Sequence, residues 1–186
     1  VEPGEGEPAA VRELRRRGEG LLREARYEEA EQLFLDSIDA GLADDFFPWQ
    51  AAVNLINCQR FLARLEDADA TAMHLQEMYG EQPEHPIHYL LATQRGAIAA
   101  DSYDESGQAA DAAEALDWAR AAYDWQVTWR QQADGLRAYN LVVALLRLER
   151  AHEAMAVYRQ HEHDDDFQTW CRQGDRAPLI AAMLES

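Results

Sequence analysis

The sequence predicts an all-α chain: about four helical hairpins stacked into a solenoid and closed by a C-terminal capping helix. Three observations predict it. From Ala9 onward, apolar residues recur three or four positions apart, the spacing that lines one face of a helix. Sustained period-two alternation is missing and Val and Ile are sparse, so strands have no signal. A small-residue signature also recurs, first as Leu14, Gly18, Leu21, Tyr27, Ala30 and Phe34, later as Tyr139, Asn140, Leu141, Leu145, Ala151, Ala154 and Tyr158. Gly and Ala let two helices approach closely, and hairpins locked in this way stack side by side.

Residues 1–8, VEPGEGEP, offer nothing that buries well and are expected to be a disordered lead-in; residues 9–186 then form a single helical domain. The first hairpin is expected over 9–24 and 28–40. Val11, Leu14, Gly18, Leu21 and Leu22 make its first stripe, Ala25-Arg26-Tyr27 its turn, and Ala30, Leu33, Phe34 and Ile38 its second stripe. Glu28 and Glu29 favour the second helix start through the dipole, and Gly41 is expected to stop it. The second hairpin, 47–64 and 67–79, opens with Pro48 in the first turn, where its missing N–H costs nothing. The third, 86–103 and 108–132, is longer. Its second helix carries two stripes, one through Ala109, Ala112, Leu116, Ala119 and Tyr123, the other through Trp118, Ala122, Trp125 and Trp129. The first stripe is expected to close the hairpin. The Trp stripe is expected to pack on the fourth hairpin or the C-terminal segment, with self-association through Trp118, Trp125 and Trp129 as the alternative. The fourth hairpin is expected over 135–148 and 151–162. His161 to Asp166 reads as a polar break, and a helix over 178–184 as the cap.

Composition bounds the partners. The net charge of −18 and pI near 4.6 oppose nonspecific nucleic-acid binding, which needs a basic face, and oppose anionic membranes. All 17 basic residues are Arg. An Ala-rich, Lys-free chain fits the codon bias of a GC-rich bacterial genome, with adaptation to high salt as the alternative. No apolar run approaches the length of about 18 residues that suggests a membrane span. Cys58 and Cys171 are far apart and in no CxxC pair, so buried free thiols in a reducing compartment are expected. The expected location is cytoplasmic; export is the alternative if a signal peptide preceded Val1.

Arg17-Gly18, Leu21, Tyr27, Ala30 and Phe34, then Asn54-Leu55, Asn57 and Ala68, then Asn140-Leu141, Leu145, Ala154 and Tyr158, resemble tetratricopeptide repeats. The third hairpin matches loosely, through Gly96, Ala112 and Leu116. The Ala marks at 30, 68, 112 and 154 are spaced more widely than the regular period of about 34 residues. The resemblance implies a right-handed superhelix. It implies that the first helix of each pair lines a concave groove, and hence that Arg12, Arg15 and Glu19, then Asn54, Asn57 and Arg60, then Tyr139 and Val143, face a partner.

Asn can pair with an extended peptide backbone and Arg can fork onto a carboxylate. Glu19 sits where a carboxylate clamp needs Asn, which disfavours that form of recognition. The bland reading of Asn54 and Asn140 is local hydrogen bonding. Arg12, Arg15, Arg16 and Arg17 form the one dense basic cluster; it is either a dock for an acidic segment or a solvated helix start. His85 and His88 have no nearby Cys or second pair; His161, His163 and Asp164–Asp166 are types that could hold a divalent ion, but charge runs at helix ends are usually solvated, so no metal and no cofactor is expected. Catalytic motifs are lacking, so no enzyme is expected. The function implied is a protein-interaction scaffold that binds a peptide or partner domain. The alternatives are an accessory or regulatory domain of a larger enzyme or assembly, and a ligand-binding or enzymatic pocket near the Trp cluster.

Overall fold

A computed structural model describes residues 6–185. Ten α-helices and no strand occur among them: α1 (Ala9–Arg23), α2 (Tyr27–Ala43), α3 (Trp49–Phe61), α4 (Leu65–Tyr79), α5 (Ile87–Ser106), α6 (Ala109–Arg130), α7 (Gly135–Arg147), α8 (Ala151–His161), α9 (Asp165–Gln173) and α10 (Ala177–Glu185). They fall into two compact units that divide between Gln82 and Pro83. Consecutive helices pack as pairs, α1 with α2 and α3 with α4 in the first unit, α5 with α6 and α7 with α8 in the second.

In the first unit the close approach read from Gly18 is real. A Cβ there would stand 2.7 Å from the Phe34 ring, and Phe34 and Ala30 are fully buried. Ala51, Leu55 and Cys58 from α3 complete this core. The same stop ends α1, α2 and α3. Ala25, Asp45 and Ala63 take positive φ (58°, 54° and 57°), and the next residue's N–H donates five residues back: Arg26 to Leu21, Phe46 to Gly41, Arg64 to Gln59. This left-handed closure satisfies carbonyls the helix end leaves open. Glu149 (58°) and Arg150, bonding back to Leu145, repeat it in the second unit. Gly41 is not the stop expected of it. α2 continues to Ala43, and Gly41 is buried where a Cβ would meet the Phe46 carbonyl and Pro48.

The second unit has one large core spread over α6 to α10. Both stripes of α6 are used, but for the opposite neighbours from those expected. Leu116, Ala119 and Tyr123 join the core shared with Tyr139, Val142 and Leu145 of α7. The Trp stripe faces α5 and the segment before it. Trp118 Cβ lies 3.3 Å from the Cβ position of Gly96, and Arg95 covers the Trp118 ring at 4.2 Å. Trp125 packs on Tyr89 at 5.0 Å and donates from Nε1 to the Pro83 carbonyl at 2.7 Å. Trp129 alone of the three is largely exposed, at 50%. Equal 3.6-residue spacing made the stripes interchangeable in sequence; Gly96 decides, because it admits the Trp118 side to α5.

Residues 165–173, read as part of a polar break and terminal segment, form α9. Asp164 caps it, accepting from the N–H groups of Asp166 and Phe167. Asp165 and Asp166 stand in its first turn, where the dipole favours negative charge. Its Phe167 and Cys171 are buried in the core, and α10 packs on α7, α8 and α9. Cys58 and Cys171 are buried free thiols; burial pushes the first up to about 12 and the second up to about 11, which leaves them unreactive.

Candidate functional site

In the first unit α1 and α3 touch, and α3 turns a narrow polar strip to solvent. Its buried residues, Ala51, Ala52, Val53, Leu55, Ile56 and Cys58, occupy the rest of the circumference. Asn54, Asn57 and Phe61 follow at three- and four-residue spacing and so share one stripe, with Arg60 beside it. Asn54, Asn57 and Arg60 are half-buried, and Phe61 is 48% exposed. The Phe61 ring stacks on Tyr27 at 4.8 Å, and the Arg60 guanidinium lies 4.6 Å from its centroid. Among the described residues none of Asn54, Asn57 and Asn140 hydrogen-bonds through its side chain, so the local bonding expected of Asn54 and Asn140 is not made. Phe61 was not read as a site residue. Its place at the helix end does not by itself announce exposure, which depends on its packing with Tyr27.

The arginines of α1 are placed differently from the groove expectation. Glu7, assigned by sequence to the lead-in, is buried at 4% and grips Arg15 with both oxygens, at 2.9 and 3.0 Å. Arg15 also donates to Glu19 at 2.5 Å, and Arg12 donates to the Glu7 carbonyl at 3.0 Å. Arg15 is thus internally satisfied. The lead-in reading fails at Glu7 because an acid can be buried when a fork-shaped donor meets it. Residues 1–5 of that segment lie outside the described residues.

Tyr139 is not a groove residue. It is 4% exposed, its hydroxyl donates to Asp175 and accepts from the Arg176 N–H, both at 3.0 Å, and burial pushes it up to about 12. It anchors the loop before α10, where Gly174 leaves room for it.

The second unit holds a cleft of about 480 Å³ lined by Tyr123, Val127, Gln131, Gln132, Ala133, Gln160, His161, His163 and Asp164. Among its lining residues, buried His161 shares a 2.9 Å hydrogen bond with the Tyr123 hydroxyl. No group of three His, Cys, Asp or Glu among the described residues is placed to hold a metal ion. Asp164, which sequence made a ligand type, is occupied as the cap of α9. No helix among the described residues is long and apolar enough to cross a membrane.

Burial holds the His161 imidazole below its usual range. As pH falls, the unfolded chain therefore takes up a proton before the folded one does. The stability tied to neutral His161 is full above about pH 6.5 and is lost as the pH drops toward the lowered value. Urea unfolding across that window should show stability falling with acidification, and His161→Gln should flatten the slope. His85, also lowered by burial, leaves a residual slope. An unchanged slope in the variant would contradict the assignment.

A scan against protein-family models and a search of curated proteins find no match to this chain.

Proposed function

We propose that the chain is a non-catalytic protein-interaction scaffold of tetratricopeptide-like hairpins, and that it binds an extended peptide along the Asn54–Asn57–Phe61 stripe of α3. The observation that carries this reading is the pair of half-buried amides at Asn54 and Asn57 with no intramolecular hydrogen bond among the described residues. Each amide offers a donor and an acceptor, the complement of one peptide unit. Phe61 adds an exposed apolar surface next to them, with the Arg60 guanidinium against its ring. Both asparagines are partly accessible on α3, and their amides are not committed to a partner among the described residues, so they are free to meet a backbone.

Arg12 and Arg15 support the α1 start through Glu7 rather than meeting the partner, and Tyr139 serves the second unit's own packing. Binding is expected to depend only weakly on salt.

Peptides selected from a random display library on the immobilised protein are the probe. By calorimetry, Asn54→Ala/Asn57→Ala should weaken a selected peptide by about 30-fold, taking about 1 kcal/mol net for each of the two asparagines removed. The melting temperature should stay close to wild type, since neither amide supports the fold. Equal affinity for the double variant would move the site off α3.

A further inference from the structure

We propose that the outward face of α1 is a second docking surface, for an acidic peptide segment, independent of the α3 reading. Carboxylates outnumber arginines 35 to 17 in this chain, so most guanidinium groups find a partner. The helix Ala9–Arg23 reverses the balance, with five arginines against two glutamates. Arg16, Arg17 and Arg23 are exposed, and among the described residues none of them pairs with a carboxylate. Glu19, four residues before Arg23, is already taken by Arg15.

A second observation points to the same face. Gly20 lies between Arg16 and Arg23, one turn from each, and a Cβ there would meet nothing within 4 Å. Packing therefore does not require glycine, although glycine weakens a helix interior. Gly18, two residues away, has the opposite surroundings: its Cβ would strike Phe34. Gly20 leaves a bare strip of helix flanked by Arg16, Arg17 and Arg23, none paired with a carboxylate among the described residues; exposed Glu13 stands one turn before Arg16 and Arg17, and three positive charges against that one let another backbone come close while its carboxylates reach the arginines.

Range decides what kind of anion fits. At physiological salt the screening length is about 8 Å, so a short segment on α1 meets the local positive charge and little of the net −18. A long polyanion such as a nucleic acid extends beyond the patch into the acidic surroundings and is disfavoured.

The test is fluorescence anisotropy of a labelled short poly-glutamate peptide at 0.15 M salt, on the order of physiological strength. Saturable binding is expected. The charge reversal Arg16→Glu/Arg17→Glu/Arg23→Glu should weaken it by about tenfold or more. Gly20→Phe should weaken it without changing any charge, while Gly20→Ala should raise the melting temperature. Reversing the unpaired, exposed arginines of the second unit, Arg159→Glu/Arg172→Glu, should leave binding unchanged, as should Asn54→Ala/Asn57→Ala. The proposal is overturned if no saturable binding occurs, or if the two reversals weaken it equally so that only net charge matters. Tighter binding of a single-stranded DNA oligonucleotide would also overturn it. Matched melting curves for the variants keep loss of binding separate from loss of fold.

Discussion

Replacing Phe34 by alanine is expected to destabilise the first unit by about 3–5 kcal/mol, the range for a large buried aromatic. Phe34 is fully buried, and the groups around it cannot move in to fill the space. Gly18 has no side chain, and Ala30 and Ala51 offer only a methyl group each. The lost contacts and the remaining cavity therefore add. Gly18→Ala probes the same contact from the other side. Its new methyl would press on the ring and should cost about 1–3 kcal/mol by overpacking. Gly18→Ala combined with Phe34→Leu should recover part of that loss, because the smaller side chain makes room for the methyl. Urea unfolding followed by circular dichroism measures all three. A Phe34→Ala cost below about 1 kcal/mol would contradict the packing of α1 on α2.

Phe167→Ala should be comparably severe in the second unit, again about 3–5 kcal/mol. Phe167 is fully buried, with Tyr158 at 5.4 Å and His161 at 5.7 Å between ring centroids. It fastens α9 to the core, at a point where the α9 start lies so close to Gly135 that a Cβ there would meet the Asp166 carboxylate at 2.6 Å. Its removal also opens a path for water to His161. The imidazole of the variant should titrate nearer its ordinary value, so NMR titration of His161 gives a second readout. A stable variant with an unchanged His161 titration would mean that α9 is not held by this ring.

Much of this architecture was legible in the sequence because it rests on local rules. The pairs α1–α2, α3–α4 and α7–α8 lie within a few residues of their expected bounds. Their marker alanines, Ala30, Ala68 and Ala154, are all fully buried, as helix-to-helix contact demands. Where the reading failed, the deciding partner lay elsewhere in the chain. Glu7 looked solvated because nothing in residues 1–8 announces that Arg15 will enclose it. Tyr139 looked like a groove residue until the loop at Asp175 and Arg176 claimed its hydroxyl. The Trp stripe had the right period but the wrong neighbour. The α9 helix was the one avoidable miss. Asp164 as cap, two acids in the first turn, and Phe167 and Cys171 four residues apart are a helix start written in full.

The candidate site was legible in a similar proportion. Asn54, Asn57 and Arg60 are named from repeat spacing, and all three are half-buried on α3. Phe61 could not be named in this way, since exposure of a large apolar residue at a helix end is a tertiary outcome. The same holds for the unpaired state of the two amides, on which the functional reading depends.

That dependence can be measured directly. In ¹H–¹⁵N spectra the side-chain amides of Asn54 and Asn57 give their own signals, separate from the backbone. Titration with a display-selected peptide is expected to shift both pairs together, with saturation at the calorimetric affinity. Saturating shifts confined to the Tyr123–His161 cleft or to α1, with both asparagine amides unmoved, would contradict the reading of α3 as the peptide-binding face.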